Sequence, residues 1–257
     1  MSVVIPTFNW SAVLRHSMRT ALWQTYANLE VLVVGDGCTD DSEEIVASFA
    51  DPRVRWHNLP ANSGSQAGPN RAALELARGE FVAYLGHDDV WLPTHLAWLM
   101  DAVSRTGARL AHTRMEWIGP GGRYRGCGGA AISAYLHDAA LGREVGWRDY
   151  RELVLGPDYD FIQRAEARAT AAVVPALTVF KFPSAWRKDS YVEKPSHEQA
   201  EYVRRIQRER GFIYRELLAV GLSTVRGRKP PHLTPEPPDP LPPGWSVTQY
   251  RKLRGLE

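Results

Sequence analysis

Over roughly the first 115 residues, short uniformly apolar runs alternate with stretches in which apolar residues recur at helical spacing. Ser2 to Ile5 is a compact apolar run stopped by Pro6, and Leu29 to Val34 is almost continuously apolar. Both read as strands covered on two faces. Arg53 to His57 and Phe81 to Leu85 read as two more strands. Between them, Trp10 to Gln24 carries Val13, Leu14, Met18, Ala21 and Leu22 at helical spacing, and Asp41 to Ala50 carries Ile45, Val46 and Phe49 on one face. Arg71 to Ala77 predicts a helix ended by Gly79, and Leu92 to Ser104 one whose start is marked by Pro93. This alternation predicts an α/β fold around a largely parallel sheet.

The second half is less regular. A strand is expected over Arg109 to Trp117, then a glycine-rich loop from Gly119 to Gly129 with the composition of a flexible flap. A helix over Asp158 to Ala169 and a strand over Ala171 to Phe182 follow. Beyond Ser184 the character changes. Ser196 to Leu218 is a long charged amphipathic segment, and Pro230 to Pro243 holds eight of the chain's 18 prolines. The latter excludes helix or central strand and predicts an extended path over a surface or free of it. The chain therefore divides into a core of residues 1–185 and an extension of residues 186–257, a helix followed by a proline-rich tail.

Composition narrows the class. At 257 residues with 44% hydrophobic and 23% charged residues, the chain is globular rather than disordered or fibrous. Thirty-one Lys and Arg against 29 Asp and Glu give a net charge of +2, which argues against a nucleic-acid partner. Two cysteines, Cys38 and Cys127, support neither a disulfide framework nor a Cys-rich zinc site, so a cytoplasmic location is expected. The first residues lack the charge and apolar pattern of a signal peptide, and no apolar run reaches the roughly 18 residues of a transmembrane segment.

Three polar clusters directly follow predicted strands, the place where open α/β sheets bind ligands. They are Pro6-Thr7-Phe8-Asn9, Gly35-Asp36-Gly37-Cys38-Thr39-Asp40-Asp41 and Gly86-His87-Asp88-Asp89. Asp36 either caps a turn or accepts hydrogen bonds from a base or ribose. Asp88 and Asp89 repel one another, and a hard divalent cation held by one or two carboxylates and a substrate's phosphates relieves that repulsion; the other reading has Asp89 capping the next helix.

In this order and spacing, the clusters resemble the family-2 glycosyltransferases, nucleotide-sugar-dependent enzymes of the GT-A fold. The carrying segments are residues 4–9 (Val-Ile-Pro-Thr-Phe-Asn), Trp23-Gln24-Thr25-Tyr26, residues 29–41, Ala77-Arg78-Gly79-Glu80-Phe81 and Asp88-Asp89-Val90-Trp91-Leu92-Pro93. The likeness runs over residues 2–182. It implies a Rossmann-like, mostly parallel central sheet flanked by helices, with a nucleotide-binding half over residues 1–115 and an acceptor half over residues 116–185. Pro6, Thr7 and Asn9 would line the nucleoside pocket, Asp36 would hydrogen-bond the base, most often uracil, and Asp88 would bind Mn²⁺ or Mg²⁺ at the diphosphate.

The sequence departs from the family at three places. Gly35 stands where relatives often carry aspartate, and Gly86 and His87 fill the first two positions of Asp-x-Asp, so that His87 is expected to replace some lost contacts. Pro69-Asn70-Arg71 replaces Ala-Arg-Asn, which leaves the cationic contact to Arg71. Gly156-Pro157-Asp158-Tyr159-Asp160-Phe161 resembles the family's Glu-Asp-Tyr-Asp segment, with Asp158 as the general base of an inverting transfer to a hydroxyl-bearing acceptor and Asp160 as its competitor. His197 is a candidate second metal ligand, because imidazole suits Mn²⁺. Trp117, Trp147 and Trp186 are candidates to face the acceptor. The mixed-charge helix from Tyr202 to Arg215 is expected to be solvated or to form a homodimer. A sugar nucleotidyltransferase and a catalytically degenerate nucleotide-binding domain are the alternatives; the first lacks a glycine-rich basic loop at Pro6 to Ser11, and the second is motivated by Gly35 and Gly86.

Overall fold

The computed structural model describes residues 1–128, 131–193, 198–231 and 234–256. In chain order its first half comprises β1 (Ser2–Thr7), α1 (Ser11–Leu22), β2 (Glu30–Gly35), α2 (Ser42–Ala47), β3 (Val54–Asn58), α3 (Ala67–Leu76), β4 (Phe81–Tyr84), β5 (Val90–Trp91) and α4 (His95–Thr106). The second half comprises β6 (Leu110–Ile118), β7 (Arg125–Cys127), β8 (Tyr135–Asp138), α5 (Ala139–Val145), α6 (Pro157–Glu166), β9 (Ala171–Lys181), α7 (Ser190–Glu193), α8 (Gln199–Arg208), α9 (Phe212–Val225) and α10 (Trp245–Leu253).

The strands form one sheet in the order β3-β2-β1-β4-β8-β6-β9-β5, with β7 paired to β6. β3, β2, β1 and β4 run parallel. β8 is antiparallel to both β4 and β6, and β9 runs parallel to β6. Two reversals restore direction, so the carboxyl end of β9 reaches the same edge of the sheet as those of β1, β2 and β4. Helices cover the sheet, as the α/β GT-A-type fold requires, and the central strands β1 and β2 are almost wholly buried.

Several sequence-based boundaries shift for physical reasons. β1 runs through Pro6, which pairs in register with Val34. β4 leaves the ladder at Val4, so the missing amide of Pro6 costs no bond on that side. α3 starts four residues before the expected Arg71, and Gly79 is not its cap. A Cβ at Gly79 would lie 2.4 Å from the carbonyl carbon of Met1, so this glycine admits the incoming β1. The expected flap after Gly119 is a hairpin, with Ile118 opposite Arg125 and Glu116 opposite Cys127. The long charged segment is two helices, α8 and α9, separated by Gly211 at φ +71°. The described part of the proline-rich segment is irregular and mostly exposed, and it leads into α10, which the sequence reading did not include.

The extension shares a second apolar core with the sheet, in which Phe180 and Phe182 of the β9 end pack against Tyr202 and Phe212. An ionic network closes this interface. Arg125 Nε donates to Glu116 Oε1 at 2.6 Å, Arg125 also pairs with Glu216, and Arg205 Nη2 donates to Glu216 Oε1 at 2.8 Å. Both glutamates are buried, and burial pushes Glu116 up to about 7 against the pull of Arg125. A carboxyl raised above its unfolded value adds stability that is complete below about 4.5 and lost as pH rises through about 7. Wild type should therefore lose stability relative to Glu116→Gln between those limits in urea titrations at stepped pH; parallel curves would disprove the shift. Both cysteines are free, and no helix among the described residues is long and apolar enough to cross a membrane.

Candidate active site

The loops at the carboxyl ends of β1, β2, β4 and β9 surround a cleft of about 380 Å³. Pro6, Thr7, Asp36, His87, Asp88 and Asp158, from four sequence regions, all line it. Asp36 directly follows β2 and is buried. Its Oδ1 accepts the Ser63 amide at 2.9 Å and its Oδ2 the Asn62 carboxamide at 3.0 Å. Burial raises its pKa, and the Ser63 donors oppose the rise. A lining acceptor held this rigidly suits an N–H or O–H of a nucleoside.

Asn9 and Arg71 do not line the cleft. Asn9, at φ 43°, accepts the Thr39 amide at 2.7 Å and the Asp40 amide at 3.2 Å, so its carboxamide ties the β1 loop to the β2 loop. Because α3 begins at Ala67, Arg71 falls on its exposed face, where its Nε donates to the Trp147 carbonyl at 3.2 Å. His197 lies outside the described residues.

His87 is buried between Thr7 Oγ1, 2.9 Å from Nδ1, and Tyr191 Oη, 3.1 Å from Nε2. Burial lowers its pKa, which favours a neutral ring positioned by two hydroxyls. Behind it, Asp89 is fully buried and accepts from Ser133 Oγ at 2.6 Å and Lys181 Nζ at 3.0 Å. Burial pushes Asp89 up against the pull of Lys181; burial would lower Lys181, but the carboxylates of Asp89, Asp88 and Asp158 outweigh it and raise the amine. This packing explains the missing family carboxylate. A Cβ at Gly86 would stand 2.8 Å from Asp89 Oδ2 and 3.2 Å from Asp88 Oδ1, where a third carboxylate would crowd two others. Gly35 is similarly constrained, since a Cβ there would meet Asn58 Oδ1 at 2.5 Å.

Asp158 occupies the second position of α6, after the N-cap Gly156 and Pro157. It is therefore not the capping residue. α6 is fixed from below by Phe161, which stacks on Trp147 at 4.5 Å between centroids. Trp147 is thus a core residue, its Nε1 donating to Tyr84 Oη at 3.0 Å. Trp117 and Trp186 also line the cleft, their ring centroids 5.7 Å apart. Asp160 faces away from the cleft, paired to Arg164 at 2.5 Å and to Arg148 at 3.6 Å.

The sequence reading missed Lys181, Tyr191, Arg251 and Arg254, which also line the cleft. A lysine ending an otherwise apolar strand and the Val247, Tyr250, Leu253 spacing of α10 were the available signals. Among the described residues no three His, Cys, Asp or Glu side chains converge as a metal shell. The cleft instead offers the carboxylate of Asp88. One carboxylate completed by phosphate oxygens and water is a donor set that hard divalent cations accept.

Comparison with known proteins agrees with this geometry. Residues 2–129 match the family described as Glycosyl transferase family 2. The uncharacterized glycosyltransferase YibD of Escherichia coli K12 is 34% identical over 46% of this chain and 34% of its own length. The E. coli UDP-Glc:alpha-D-GlcNAc-diphosphoundecaprenol beta-1,3-glucosyltransferase WfgD is 34% identical over 37% of this chain and 38% of its own. The chain therefore spans little more than a third of the length of these relatives. Among solved structures, Staphylococcus aureus TarS 1–349 in complex with UDP-GlcNAc superposes with a TM-score of 0.63 at 18% identity, over 88% of this chain and 71% of that one. The Pyrobaculum calidifontis mannosyltransferase PcManGT, in complex with GDP-Man and Mn²⁺, superposes with a TM-score of 0.54 at 17% identity, over 97% and 68%. Through residues 2–129, with the GT-A fold carried across the sheet, the chain belongs to glycosyl transferase family 2.

Proposed function

We propose that the chain transfers a sugar from a nucleoside diphosphate donor, of the UDP-sugar class, to a hydroxyl acceptor with inversion. The observation that carries this reading is the placement of Asp158 in one cleft with Asp36 and Asp88, although the three lie far apart in sequence. The family membership, and relatives whose names specify UDP-glucose or UDP-GlcNAc, support the donor class.

Asp36, with Asn62 and Ser63 fixing its oxygens, holds the nucleoside. The acceptor stands on the Trp117 and Trp186 side, where Asp158 takes the proton of its hydroxyl. The acceptor oxygen forms a bond to the anomeric carbon as the bond from that carbon to the phosphate oxygen breaks on the opposite face. The bonding pair leaves with the nucleoside diphosphate. Asp88 is the residue to hold Mn²⁺ or Mg²⁺ together with the diphosphate, and such a cation supplies charge neutralisation to the leaving group. Charge balance supports it. Asp36, Asp88 and Asp158 face Lys181, Arg251 and Arg254 in the cleft, with Asp89 behind, so an added diphosphate leaves excess negative charge.

Calorimetry on the full chain tests both parts. UDP should bind in preference to GDP, and Mn²⁺ should tighten it. Binding indifferent to Mn²⁺ would remove the cation from the reading, and failure of both nucleotides to bind would remove the reading itself.

A further inference from the structure

The family match ends at residue 129, yet one wall of the cleft comes from α10, more than a hundred residues later. Resting on the function proposed above, we propose that α10 is part of the donor site. Arg254 binds the donor's diphosphate, and Arg251 positions the helix for it.

Three observations carry this. First, Val247, Tyr250, Arg251 and Arg254 line the cleft, and about 380 Å³ remains open with the helix seated. That volume lies within the range of small-ligand sites, so α10 is a wall and not a plug. Second, the helix is anchored at both ends to elements that hold the site. At its start the Gly244 amide donates to the Leu153 carbonyl at 2.7 Å. At its end the carbonyls of Leu253 and Arg254 accept the amides of Asp189 and Tyr191 at 2.9 and 3.0 Å. Arg251 Nη1 donates to the Gly64 carbonyl at 2.9 Å and approaches Asn62 Oδ1 at 3.4 Å, on the loop that fixes Asp36.

Third, the two arginines address different parts of a donor. Arg251 lies on the Asp36 side, where the nucleoside sits. Arg254 lies on the Asp88 side. Its guanidinium is 5.9 Å from the centroid of Tyr191, whose hydroxyl meets His87, the residue before Asp88. Its Nε donates to the Tyr250 carbonyl at 2.9 Å and its Nη1 to Ser184 Oγ at 3.3 Å, which fixes the planar head at the cleft wall. A guanidinium held this way matches two phosphate oxygens at once, a geometry an ammonium cannot reproduce.

The test titrates UDP and uridine against the full chain and its Arg254→Ala, Arg254→Gln and Arg251→Ala variants. Arg254→Ala should weaken UDP roughly 10- to 100-fold, the range expected for a lost charge-assisted contact, and leave uridine unchanged. Arg254→Gln, which keeps hydrogen-bonding capacity toward Ser184 without the charge, should lose nearly as much and decides the matter if the alanine variant does not fold. Arg251→Ala should weaken UDP and uridine together, because it loosens the wall rather than the phosphate contact. UDP binding unchanged in Arg254→Gln, or equal losses for UDP and uridine in both Arg254 variants, would overturn the assignment while leaving the functional reading in place. A wild-type chain that binds neither UDP nor GDP would overturn both.

Discussion

Asp158→Asn is expected to lower turnover by roughly 10²- to 10⁴-fold while donor affinity stays within about twofold, the signature of a lost general base. The amide preserves the shape of the side chain and its hydrogen bond from the Tyr159 amide, 3.0 Å away in the native protein, but cannot take a proton. Asp160 cannot substitute, because Arg164 and Arg148 hold it and it does not line the cleft. Release of nucleoside diphosphate in the presence of a working acceptor, followed over a range of donor concentrations, separates kcat from KM. Retained turnover would place the base on another residue; a matching rise in KM would make Asp158 a binding group instead.

The second large effect falls on stability. Lys181→Met should cost about 3–5 kcal/mol in urea unfolding at neutral pH, since it strands the carboxylate of Asp89 without its counter-charge. Asp89 is fully buried, its Oδ1 has no hydrogen-bond partner, and Ser133 is the other group on its Oδ2. Adding Asp89→Leu to Lys181→Met should recover most of the loss, because breaking a buried pair is far more costly than replacing it by apolar groups. Full additivity of the two single changes would show that the pair is not coupled.

The parts of the fold visible in the sequence were those encoded by contiguous stretches. An apolar run followed by Gly35-Asp36 or Gly86-His87-Asp88 marks a strand and its carboxyl end together, so the clusters were placed before any tertiary contact was known. Asp158 was named from the resemblance of its segment to the family's Glu-Asp-Tyr-Asp, and it lines the same cleft. Arg71 shows the limit of that logic. With the helix starting four residues earlier, Arg71 sits in its second turn, about 6 Å further along the axis from the helix start, and lies exposed. β8 and α5 escaped because a four-residue strand next to a seven-residue helix offers too short a window for either period. Lys181 and the arginines of α10 were hidden for a different reason. Their sequence neighbours say nothing of the site, and only the two reversals of the sheet and the return of the chain after the proline-rich segment bring them there.

That return has a kinetic consequence. The hydrogen bond from Arg251 to Gly64 spans 187 residues of sequence, and the one from Lys181 to Asp89 spans 92. Contacts of such separation form only after most of the chain has been brought together, at the slow end of the relation between topology and folding rate. The cleft is accordingly a late product of folding. A chain emerging from synthesis has its strands and its Asp36 long before α10 closes one wall of the cleft.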